Sequence, residues 1–128
     1  MKRVSDKQKE RNLLKTQETK LMHQLFLKIW DEREDEEGYC YCFETNTPMH
    51  GSTFRSNTMC YDHVLEKGKG SYPEYKMLRE NIVILLPSVH SDKNFNIDKC
   101  PKLKKYREKL LNNSVLEIFE FYKIIYTF

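Results

Sequence analysis

The sequence predicts a small α+β protein with a long N-terminal amphipathic helix, a centre of short strands closed by a helix, and further helices at the C-terminal end. Three observations carry that prediction. Residues 5–33 place Leu14, Leu21, Met22, Leu25, Phe26, Ile29 and Trp30 at three- and four-residue steps, the period of a helix with one apolar stripe. Residues 38–64 abandon that period for aromatic and β-branched residues (Tyr39, Tyr41, Phe43, Thr53, Phe54) broken by Asn46, Pro48, Gly51 and Asn57, the pattern of short strands and turns. Residues 81–86 are an apolar run of strand length, opened by Asn81 and closed by Pro87.

The elements follow in order. Ser5 opens the first helix, and an acidic run over residues 31–37 ends it at Gly38; acids there oppose the helix dipole but suit an exposed connection. Residues 65–80, with Lys67, Gly68, Lys69, Gly70 and Pro73 and no apolar period, read as a loop. After the 81–86 strand, Ser88 is a candidate N-cap for a short helix carrying His90. Pro101 introduces a helix over 102–111, and Ser114, after the Asn112-Asn113 break, opens a last helix to Tyr126. That last helix is apolar on most of its circumference, so it is expected to pack between elements or to pair with a second copy as a homodimer. A chain of 128 residues suits one compact domain, divided here into an N-terminal extension (1–37), a core (38–98) and C-terminal helices (99–128).

Composition narrows the class. With 39% hydrophobic and 32% charged residues and a mean hydropathy of −0.75, the chain reads as soluble and globular rather than disordered or membrane-embedded. Residues 1–20 are charged throughout and offer no signal-peptide core, so the mature protein is expected to start near Met1. Residues 114–128 are too short to span a bilayer, and no membrane partner is expected. Without a secretory leader, Cys40, Cys42, Cys60 and Cys100 are expected as free thiols in a reducing cytoplasm. The net charge of +3 is segregated: residues 1–30 hold eight Lys/Arg against three Asp/Glu, and residues 31–37 hold six acids against Arg33. Lys102, Lys104, Lys105, Arg107 and Lys109 crowd together further on. Such clusters permit a polyanionic partner, although any one of them reads as well as a solvated helix face.

The informative constellation lies in the centre. Cys60-Tyr61-Asp62-His63 ends a strand, a basic Gly-containing loop follows, Asn81 opens the next strand eighteen residues beyond His63, and His90 sits on the first turn of a helix nine residues later. This order of strand, loop, strand and helix resembles the HNH, or ββα-metal, nuclease family, over roughly residues 39–93. The resemblance implies an HNH core with a metal-dependent endonuclease activity on DNA, leaving 5′-phosphate and 3′-hydroxyl ends. It implies Asp62 and His90 as ligands of one divalent cation, Mg²⁺ or Mn²⁺ foremost and Zn²⁺ or Ni²⁺ as alternatives, with open positions for water and phosphate oxygens. His63 would act as a neutral general base, and Asn81 would brace the loop backbone that carries it. Lys67, Lys69 and Arg79 in the loop, and Lys93 after His90, are candidate phosphate contacts. Singly each of these residues has a plainer reading, as a turn acid, a surface histidine, a strand-edge amide or a solvated lysine. His50 and His23 are left outside the site, His23 because packing is the simpler role for a histidine among apolar helix residues.

One departure from the family stands out. Many members hold a structural zinc with two Cys-x-x-Cys pairs, whereas here Leu86 and Val89 stand at the second pair and Cys40-x-Cys42 replaces the first off-spacing. No structural zinc is therefore expected, and Leu86 with Val89 should form an apolar plug. Small stand-alone members are common in bacteriophages, which by association suggests a phage-encoded protein acting in a bacterial cytoplasm. The rival reading is an inactive HNH-fold protein that binds DNA or acts as a host-takeover inhibitor through protein contacts.

Overall fold

The computed structural model describes residues 5–67 and 71–112. Helix α1 spans Asp6–Arg33, with the Ser5 hydroxyl accepting from the Gln8 N–H at its start. Strands β1 (Tyr39–Tyr41) and β2 (Pro48–His50) form one antiparallel hairpin, followed by the one-turn helix α2 (Gly51–Phe54). Strand β3 (Tyr61–His63) pairs antiparallel with β4 (Ile82–Ile84), in the register Tyr61 to Ile84, Asp62 to Val83 and His63 to Ile82. Helices α3 (Pro87–Phe95) and α4 (Pro101–Leu111) complete the described chain. The fold class is thus α+β, with four α-helices and two small antiparallel sheets among the described residues. The expected helix over residues 114–126 lies outside them. No helix among the described residues is long and apolar enough to cross a membrane.

The apolar stripe of α1 works only in its C-terminal half. Met22, Phe26, Ile29 and Trp30 are buried, whereas Leu14 and Leu21 are 61% and 55% exposed, because the apolar core formed by the described residues meets only the C-terminal part of the helix. Three further expectations shift at their edges. The strand expected over 81–86 shortens to three residues, since β3 offers three partners; Asn81 ends a 3₁₀ turn, and Leu85 continues by donating its N–H to the Cys60 carbonyl. Helix α3 starts two residues earlier than a Ser88 cap would place it, with Leu86 as its N-cap and Pro87 in its first turn, where a preset φ and a missing N–H cost nothing. The loop over 65–80 contains the 3₁₀ turns Pro73–Tyr75 and Arg79–Asn81.

A single apolar cluster joins Trp30 of α1, Cys40 and Met49 of the hairpin, Ile82 and Ile84 of β4, Val89 of α3 and Leu103 and Leu110 of α4. Polar ties lock its edges. The Arg33 guanidinium, at the end of α1, donates to the Ile82 carbonyl at 2.8 Å and the Arg79 carbonyl at 3.3 Å. Glu44, in the hairpin turn, accepts from the N–H groups of Lys102 and Leu103 at 3.1 and 2.8 Å, supplying a carboxylate to the positive end of α4 that its own sequence lacks. The Phe43 N–H donates to the Ile84 carbonyl at 2.9 Å, so the hairpin rides on β4. All four cysteines are buried free thiols, and burial pushes Cys40 and Cys60 up to about 11. Leu86 and Val89 pack on the core beside two of them: the Leu86 N–H donates to Cys42 Sγ at 3.4 Å, and Cys100 Sγ lies 3.9 Å from the Val89 carbonyl.

Trp30 is fully buried at the meeting point of α1, the hairpin and α2, so close to Gly51 that a Cβ added there would lie 3.1 Å from its ring nitrogen. Trp30→Ala is expected to cost about 3–5 kcal/mol of stability. Urea denaturation followed by circular dichroism is the measurement, because Trp30 is the chain's single tryptophan.

Candidate active site

Three elements converge on one cleft of about 950 Å³. β3 brings Asp62 and His63, α3 brings His90 and Lys93, and α1 supplies a wall that includes Leu21, Met22 and Phe26. Consecutive strand residues alternate sides, and the two β3 side chains part accordingly: Asp62 meets α3, whereas His63 meets the loop and the Phe26 ring, whose centroid lies 5.9 Å away.

Asp62 is 2% exposed. Its Oδ1 lies 3.3 Å from His90 Nε2 and 3.2 Å from Lys93 Nζ, while Oδ2 is buried without a hydrogen-bond partner. His90 Nδ1 is 2.7 Å from the Met59 carbonyl. A carbonyl only accepts, so Nδ1 carries the proton, and in the neutral ring the Nε2 lone pair faces the carboxylate. This is the arrangement that suits a cation: a hard oxygen and an imidazole nitrogen facing one another, with the distal ring N–H tied to backbone. Their 3.3 Å separation is near the roughly 3 Å edge between adjacent ligands held at about 2.1 Å by an octahedral ion. The orphaned Oδ2 is a further acceptor in want of a cation. Among the described residues no group of three or more His, Cys, Asp or Glu side chains could hold a metal ion, so the candidate centre rests on two protein ligands.

His63 is held in a matching way. Its Nε2 lies 2.8 Å from the Lys76 carbonyl and must donate to it, which leaves the lone pair of the neutral ring on Nδ1. Burial is the largest influence on its proton affinity and lowers it below the ordinary imidazole value; the Lys76 carbonyl and Asp62 oppose that shift, and the Lys67 and Lys93 charges add to it. The net shift favours the neutral ring, the form a general base requires.

Asn81 is fully buried and bridges the ends of the loop. Its Oδ1 accepts from the Leu65 N–H at 2.6 Å, and its Nδ2 donates to the carbonyls of Leu65 at 3.0 Å and Tyr75 at 3.2 Å. The turn that presents the Lys76 carbonyl to His63 is fixed from both sides.

The four candidate phosphate contacts separate. Lys67 is exposed and lines the cleft. Arg79 pairs with Glu32 at 2.8 Å and contributes no lining to the cleft. Lys93 is not a surface lysine: it is 6% exposed, and its ammonium donates to Asp62 Oδ1 and to the His63 carbonyl at 2.9 Å. Lys69 lies outside the described residues. His23 is exposed at the cleft wall rather than packed in the core, because it falls on the flank of the short buried stripe. His50 hydrogen-bonds the Ser52 N–H and hydroxyl, away from the cleft. Residues without a sequence signal complete the site: the Met59 and Lys76 carbonyls orient both rings, and Lys76 Nζ, paired with Glu18 at 3.0 Å, links the loop to α1.

Comparison of the chain with protein-family models, with curated proteins and with solved structures found no match.

Two outcomes are expected. Asn81→Ala strips the Leu65 N–H and carbonyl of their buried partner and should cost about 2–4 kcal/mol in urea denaturation. For His63 the folded state binds its proton less readily than the unfolded chain, so in EDTA stability should fall as pH drops below 6.5 and be insensitive to this ring at higher pH. His63→Gln should flatten that acid limb, which denaturation midpoints at pH 5, 6 and 7.5 will show.

Proposed function

We propose that this chain is a metal-dependent endonuclease of the HNH type that hydrolyses DNA phosphodiester bonds. The observation that carries the reading is the pairing of Asp62 and His90 across 3.3 Å, beside a second imidazole locked in the tautomer that leaves Nδ1 to accept a proton. The antiparallel pair β3 and β4 leading into α3, and the Asn81 bridge, support the same reading.

Each residue then has a task. Asp62 and His90 would hold one divalent cation, Mg²⁺ or Mn²⁺. When bound, that ion supplies charge neutralisation at the phosphate and relief for the departing alkoxide. His63 takes the proton of the attacking water through Nδ1, and its donated bond to Lys76 keeps the ring from turning. Asn81 fixes the loop, and through it the Lys76 carbonyl. Lys67 stands at the cleft to meet a backbone phosphate. A DNA substrate and free thiols suit action inside a cell, a bacterial host in the phage-encoded case, and one such site nicks one strand at a time. A homodimer through residues 114–128 would be one route to double-strand cleavage.

A second reading has its own observation. The Lys93 ammonium already sits on Asp62, so a protein of this fold that binds DNA or a host protein without cleaving it would need no metal.

The test is supercoiled plasmid incubated with the protein in Mg²⁺, Mn²⁺ or EDTA. Nicking is expected with either metal and none in EDTA. His63→Ala should lose about 10²- to 10⁴-fold in rate while still binding Mn²⁺, and Asp62→Ala should lose both. Nicking that survives EDTA, or unimpaired turnover by His63→Ala, overturns the assignment.

A further inference from the structure

Lysine is among the side chains least often buried without a partner, yet Lys93 is as buried as the core around it. Its ammonium spends two donors on Asp62 Oδ1, at 3.2 Å, and on the main-chain carbonyl of His63, at 2.9 Å. Lys93 follows His90 by three residues on α3, so the two side chains leave the helix on one face, and both reach the same carboxylate oxygen. The other oxygen, Oδ2, has no partner. One buried carboxylate is thus shared between a fixed ammonium and an imidazole.

We propose that Lys93 is the built-in cation of this site, a positioning residue that pairs with Asp62 when no divalent ion is present, frees folding from dependence on metal, and weakens the hold on that ion. The inference rests on the metal-site reading above. Asp62 and Lys93 together carry no net charge, so an incoming divalent ion meets a neutral pair in place of a buried anion. Solvent ions screen such a buried pair poorly. Coupling between two ligands of one site is reciprocal: whatever the ammonium contributes to holding Asp62 in the metal-free protein, a competing divalent ion must overcome. The second bond, to the His63 carbonyl, ties α3 to the backbone of the general base, so one side chain aligns both halves of the site.

The test compares wild type, Lys93→Met and the double variant Asp62→Asn/Lys93→Met. Met keeps the apolar stem and removes the charge. In EDTA, Lys93→Met should melt at least ~5 °C below wild type. Its Mn²⁺ affinity, read by titration calorimetry, should be at least ~10-fold tighter, with a larger rise in Tm on adding Mn²⁺ than wild type shows. A merely structural lysine would leave that affinity unchanged or lower it, and either result overturns the proposal. If Lys93→Met is unfolded in EDTA, folding on addition of Mn²⁺ is the expected result, and failure to fold with Mn²⁺ counts against it. The double variant removes both charges; it should recover metal-free stability over Lys93→Met and lose the Mn²⁺ response. A double variant no more stable than Lys93→Met overturns the counter-cation role with no metal involved. Because that comparison is made in EDTA, it is read separately from plasmid nicking, whose failure in wild type would count against the nuclease reading alone.

Discussion

A carboxylate buried at 2% exposure between a strand and a helix is the constraint around which the rest of this structure is arranged. Asp62 cannot be left without cations at that depth: removing one partner of a buried ion pair typically costs about 3–5 kcal/mol. Helix α3 answers with two groups on one face, His90 and Lys93, and that demand fixes the rotation of α3 against β3. The apolar residues of the helix fall into place as a consequence, with Val89 buried in the core.

The two imidazoles show how a small fold sets proton positions without dedicated acidic residues. Each ring gives one N–H to a main-chain carbonyl, His90 to Met59 and His63 to Lys76, which leaves Nε2 of His90 and Nδ1 of His63 as the nitrogens free to meet another partner. Main-chain carbonyls are fixed by the fold and carry no formal charge, so they orient a ring through geometry alone. The arrangement transfers the burden to the loop. The carbonyl of Lys76 is well placed only while Asn81 holds Leu65 and Tyr75, which makes one buried amide the mechanical support of the His63 ring.

Much of this was legible in the residues, though unevenly. The period of α1, the apolar run at β4 and the order Asp62, His63, Asn81, His90 marked the elements, and Asp62, His63 and His90 do line one cleft. What escaped was decided by tertiary partners. Leu14 and Leu21 share the helical period of Trp30, but periodicity carries no information on how far the rest of the chain reaches along a helix. Strand β4 is cut to three residues by the length of its partner. Lys93 reads in sequence as a solvated cation, and only the depth of Asp62 makes it an interior one. The Met59 and Lys76 carbonyls have no sequence signature, because every residue carries a carbonyl and the fold decides which one faces a ring.

The corner between the hairpin and α3 is held by packing and by sulfur contacts. Leu86 and Val89 fill that corner with apolar atoms, and Cys42 and Cys100 meet them through weak sulfur contacts while remaining thiols. The polar ties of the fold are dispersed: Glu44 caps α4, Arg33 grips the backbone at Ile82 and Arg79, and the Tyr106 hydroxyl donates to the Glu80 carbonyl at 2.6 Å. Each such tie is worth on the order of 1–3 kcal/mol. Because several of them converge on residues 79–82, where Asn81 sits, they support the same loop that orients His63. Stability and site geometry therefore depend on one short segment of backbone.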